Sequence, residues 1–146
     1  MCVIIEKKEL IYMFLSLLSR EEKYYFIDLL ALIVSVDGNT SELEKQIVNR
    51  LKYEIGEDII KYRKSSLSKE KLVDYFAQKP KSTKNIVFMN LISSFLYDEF
   101  YSAEEHFLME DIQNKFEIPN KKRSELMKVV YAERDVREKA RRVISE

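Results

Sequence analysis

Apolar residues recur at helical spacing along most of this chain. Phe26, Leu29, Leu30, Ile33 and Val34 form one stripe, and Val87, Leu91 and Phe95 form another. No alternating run of β-branched residues is long enough for a strand. The pattern predicts eight helices, at residues 4–18, 20–36, 42–55, 57–63, 69–78, 83–97, 103–116 and 121–143. Gly56 stops the third at a C′ position. Lys79-Pro80-Lys81-Ser82 breaks the chain before the sixth, and Pro119-Asn120 opens the last. The expected fold class is an all-α bundle of about eight helices in one domain, residues 1–146.

Part of this pattern is duplicated. At an offset of sixty-one positions Leu30 falls on Leu91, Asp37 on Asp98, Ser41 on Ser102 and Glu44 on Glu105. In each copy an apolar helix runs into an Asp, turns, and restarts at Ser-x-x-Glu. That signature is a capping box, in which the Ser side chain and the Glu side chain each satisfy a backbone amide of the other residue. Ser19-Arg20-Glu21-Glu22 makes a third box. The repeat halves span about residues 20–56 and 83–119, so helices two and three, and six and seven, are expected to be related hairpins.

Composition narrows the class. With 146 residues, 46% hydrophobic and 34% charged, the chain can bury an ordinary core. Two Gly and two Pro in the whole sequence agree with long helices. One Cys cannot form an internal disulfide and points to a reducing, cytoplasmic setting. The apolar run at 10–18 is too short to span a bilayer, so any membrane role is peripheral, at the inner face. Net charge is zero, yet charge is segregated. Residues 61–84 hold eight basic side chains against Glu70 and Asp74, and residues 98–117 hold seven acidic ones against Lys115. Pairing of these stretches within one molecule, or simple solvation, is the plainer reading. Nucleic-acid binding by the basic stretch and the charged last helix ranks last among the functional readings.

The chemistry-bearing candidates are few. Asp37 and Asp98 continue the inward stripes at helix C-termini, where the macrodipole opposes a carboxylate at a cost of about 0.3–1 kcal/mol. Local hydrogen bonding in an Asx turn offsets this in one reading. A cation or a partner's basic group between the two Asp residues offsets it in the other. Asp37, Glu44, Asp98 and Glu105 are the candidate ligands for a divalent metal, which in the case of calcium needs six or more oxygens. No other cofactor is called for. The chain has no Gly-rich phosphate loop and no His-Glu-x-x-His motif, and one Cys with one His cannot build a zinc site. No catalytic residue is assigned, and the chain is expected not to be an enzyme. His106 reads as a solvated or half-buried helix residue.

A helix ending in Asp-Gly, a turn, and Ser-x-x-Glu opening the next helix, all duplicated, resembles the tellurite-resistance TerB-like family. The resemblance covers about residues 23–56 and 85–119. Asp37-Gly38-Asn39-Thr40-Ser41-Glu42-Leu43-Glu44 follows the family's first motif, while the second copy has Glu99 in place of the Gly, followed by Phe100-Tyr101. The resemblance implies a helical bundle with an acidic surface near the two Asp turns. It also implies an interaction module linked to stress, metal-oxyanion resistance or membrane-associated complexes. The expected partner-binding residues are Asp37, Gly38, Asn39, Asp98, Glu99, Phe100 and Tyr101, and the expected partner is another protein. The alternative is a small inhibitory or antitoxin-like protein that masks another protein.

Overall fold

The computed structural model describes residues 12–34, 49, 51, 56, 61–96 and 103–146. Among these residues there are only helices, turns and irregular segments, and no strand. The all-α expectation holds. Where eight helices were expected, five α-helices and one 3-10 turn are described.

The first departure lies at residues 12–18, expected to end a helix. Tyr12 and Met13 are not helical, Phe14 adopts a left-handed φ of 64°, and Leu15–Leu17 form a single 3-10 turn. Tyr12, Leu15 and Leu18 are all buried, at a spacing of three that imitates an α-helical stripe in the sequence. What holds the backbone here is a side chain seventy-seven positions away. The Asn90 side chain accepts from the Met13 amide at 2.8 Å and donates to the Met13 carbonyl at 2.9 Å. A buried amide that satisfies both groups of one residue replaces the helical ladder at that point.

Helix α1, Arg20–Val34, begins where the Ser19 box predicts. The Ser19 amide donates to Glu22 Oε1 at 2.8 Å and the Glu22 amide donates to Ser19 Oγ at 3.2 Å. Phe26, Ile27, Leu29, Leu30, Ala31 and Ile33 are all buried, so the helix is enclosed on most sides. Gly56 has a φ of 68°, the left-handed conformation expected of glycine after a helix. The expected fourth helix does not reach residues 62 and 63, which are irregular.

Helix α2, Lys69–Ala77, is capped by Ser68, whose side chain accepts from the Lys71 amide at 3.2 Å. It buries Leu72, Val73 and Phe76. Helix α3, Lys81–Leu96, starts two residues earlier than expected, directly after Pro80. A proline lacks only an amide that a helix start leaves unpaired, and the Pro80 carbonyl already accepts from Lys84 at 3.1 Å. Every residue from 87 to 95 is buried. Within that run Ser93 and Ser94 donate back to the carbonyls four residues earlier, which satisfies their hydroxyls.

Helix α4, Ala103–Lys115, ends in a Schellman turn with Glu117 at a φ of 56°. The Ile118 amide reaches the Gln113 carbonyl at 3.0 Å and the Glu117 amide reaches Asn114 at 3.1 Å. Helix α5, Asn120–Ser145, follows at once. The Gln113 side chain ties the two together. It donates to Ile118 O at 3.0 Å and to Asn120 Oδ1 at 2.8 Å, and accepts from Arg123 at 2.6 Å.

The core joins α1, α2, α3, α4 and the 12–18 segment, with Leu126, Met127 and Val130 of α5 packed on its edge. α2 packs against α1, α3 and α4, and α3 packs against α4 and α5. α1 and α2 run antiparallel: Tyr75, late in α2, bonds Glu21 at the start of α1, while Asp28 further along α1 binds residues just before α2.

Candidate functional site

The carboxylate turns lie outside the described residues: Asp37, Gly38 and Asn39 in the first copy, Asp98, Glu99, Phe100 and Tyr101 in the second. So do Ser41, Ser102 and Glu44. What is described is the framework that leads to them. α1 and α3 both start at the corner where Lys79 Nζ approaches Glu22 Oε2 at 3.3 Å. Val34 and Leu96, the last described positions before the two motifs, sit at the opposite ends of those helices.

Glu105 is the one predicted candidate within the described part of the chain. It occupies the first turn of α4 and is only 2% exposed. A carboxylate in a first helical turn lies where the macrodipole favours negative charge, which lowers the cost of burying it. Its neighbour His106 is exposed and meets Glu110 at 2.9 Å, a solvated i,i+4 pair, as the sequence led us to expect. Among the described residues no group of three or more His, Cys, Asp or Glu side chains is placed to hold a metal ion.

Where the two stretches approach each other, the ion pair is between their minority charges, and the basic stretch also pairs with α1. Lys115, the cation of the acidic stretch, approaches Asp74 of the basic stretch at 3.8 Å, and Lys79 pairs with Glu22. Both residues of the first pair are well exposed, so it contributes little.

Two polar clusters escaped sequence reasoning. In the first, buried Asp28 accepts from the Tyr62 hydroxyl and from the Ser65 amide at 3.1 Å, which holds the irregular segment 62–68 against α1. In the second, the Tyr75 hydroxyl donates to Glu21 Oε1 at 2.9 Å, Tyr25 packs edge-on at 4.6 Å, and Lys79 Nζ lies 4.6 Å from the Tyr75 ring centre. Burial, the bond to Glu21 and the charges of Glu21 and Glu22 raise the Tyr75 phenol well above its ordinary range. It is therefore a fixed donor at neutral pH. Asp28 sits among apolar residues in the sequence, and a polar residue interrupting such a run is the signal that could have flagged it. Tyr75 carried no such signal.

No family model matches this chain, and neither a curated protein nor a solved structure matches it. Among the described residues no helix is long and apolar enough to cross a membrane.

Proposed function

We propose that this chain is a non-enzymatic, cytoplasmic protein-interaction module of TerB-like type, acting in a stress- or metal-resistance-linked complex or in one associated with the inner face of the membrane. Its binding surface is the pair of turns at Asp37-Gly38-Asn39 and Asp98-Glu99-Phe100-Tyr101, carried by two related helical hairpins. The observation that carries the reading is the duplicated Asp in the sequence, which the apolar pattern places at expected helix ends where the macrodipole disfavours a carboxylate, followed by an aromatic pair in the second copy. Aromatic side chains next to carboxylates suit an anchor for a basic partner surface. The framework supports this reading. α1 and α3 are deeply buried, and both run from the Glu22–Lys79 corner toward Val34 and Leu96, the last described residues before the two motifs. Rigid helices are good platforms for short recognition turns.

Asp37→Asn combined with Asp98→Asn tests it, because the amide removes charge and keeps much of the local hydrogen bonding. The doubly substituted protein should melt within about 1 kcal/mol of the parent. It should also lose the specific protein that the parent retrieves from cell extract. Strong destabilisation with retrieval intact would show that the two carboxylates serve the fold.

A further inference from the structure

The irregular segment before α2 is pinned to α1 by a buried side chain. Asp28 is 2% exposed, and its two carboxylate oxygens accept from the Tyr62 hydroxyl and the Ser65 amide. Between and beside these anchors Lys61, Arg63 and Lys64 are exposed, and neither lysine pairs with a described residue. Arg63 donates to the Tyr62 carbonyl at 2.8 Å. A guanidinium has five donors and a flat face, so one backbone bond leaves Arg63 able to bind again.

A surface of opposite charge lies on the same chain. α4 buries Glu105, Leu108, Met109, Ile112 and Gln113. Phe107 falls on the side of the helix away from Glu105, Met109 and Ile112, and is 70% exposed. Glu104 and Asp111, one turn before it and one turn after, share that outer face. Both are exposed, and neither pairs with a described residue. The bond that does join the basic and acidic stretches, between Asp74 and Lys115, uses the minority charge of each. Folding therefore leaves an outward acidic face with an aromatic centre and an outward basic segment, with no bond between them among the described residues.

We propose that these two surfaces bind each other between copies: the Glu104–Phe107–Asp111 face of α4 docks on Lys61, Arg63 and Lys64 of a second copy. Charge complementarity selects this occupant. A chain of zero net charge has no overall field to repel its own copies, and its basic segment is always present at the same concentration as its acidic face. The Phe107 ring offers a face for the Arg63 guanidinium, while Glu104 and Asp111 on either side suit the two ammonium groups. The contact is heterologous, because different surfaces of the two copies meet. Each added copy keeps one surface of each kind free, so growth runs head to tail until it closes into a ring. Exposed charges are screened by salt, so the assembly is weak and dissolves as ionic strength rises.

Sedimentation equilibrium of the full chain tests this, with reductant present to keep Cys2 a thiol. At about 20 mM salt the average mass should rise with concentration, and at about 500 mM it should return to that of the monomer. Glu104→Lys with Asp111→Lys makes the helix face basic, and Arg63→Glu with Lys64→Glu makes the segment acidic. Either doubly substituted protein alone should associate about tenfold or more weakly than the parent, and each should melt close to it because all four residues are exposed. Mixing the two should restore association, since every face then meets a segment of opposite charge. Phe107→Ala changes no charge and should weaken the assembly about threefold. A mixture that associates no better than its components, or association that survives high salt, would overturn the proposal. So would a parent that stays monomeric at every concentration and instead binds a labelled DNA oligonucleotide through Arg63 and Lys64, which would assign the segment to nucleic acid.

Discussion

At the scale of single residues, the stabilising groups are polar side chains placed where a backbone needs them. Glu117 closes α4 in the left-handed region, a conformation that costs a residue with a Cβ about 1 kcal/mol or more. Glu117→Gly keeps the Schellman bonds and removes that strain, so the protein should be stabilised by about 1 kcal/mol in a denaturant titration. Tyr75 makes a prediction about pH. Its phenol is raised in the folded state by burial and by Glu21, so the folded protein holds this proton more tightly than the unfolded chain does. The resulting stability is present below the ordinary phenol pKa of about 10 and is lost as pH rises above it. Melting temperatures of the parent should fall more steeply than those of Tyr75→Phe as pH rises above about 10. Equal slopes would mean that burial and the bond to Glu21 do not raise the phenol in solution.

At the scale of elements, local signals and distant contacts divide the chain between them. α1 starts at the Ser19 box and α2 at Ser68, because each cap is made within three residues of itself. The start of α1 was legible for that reason, through the Ser19 box. Segment 12–18 was misread, because burial of Tyr12, Leu15 and Leu18 produces a helical-looking stripe in a chain path that Asn90 sets from across the core. α3 starts earlier than a break at Lys79–Ser82 implies, because the Pro80 ring suits a helix start, where its missing amide costs nothing. Asn90→Ala should leave the Met13 amide and carbonyl without their partner and destabilise by about 2 kcal/mol. Hydrogen exchange at the Met13 amide should quicken with it. A variant that melts like the parent would show that the segment is held by its apolar side chains alone.

At the scale of the whole molecule, α1, α2, α3 and α4 form one core, and α5 packs Leu126, Met127 and Val130 against it. The two regions differ in how far the sequence prescribes them. α5 is written in its own residues: opposite charges at helical spacing, such as Glu133 and Arg137 at 3.3 Å, support it locally. The duplicated Asp motifs are likewise a property of the sequence, and the candidate partner surface was named from them. All-helical class, the starts of α1 and α2, and the charged character of α5 follow from periodicity and short-range capping, which act over one or two turns of chain. The tertiary structure alone decided which polar residues go inside and what they hold. Asp28 gathers Tyr62 and Ser65, Asn90 takes the backbone of Met13, and Gln113 fastens α4 to α5. It also brought Tyr75 to Glu21, fifty-four positions away. A buried polar group must find partners wherever the packed core offers them, and no local pattern in the chain says where that will be.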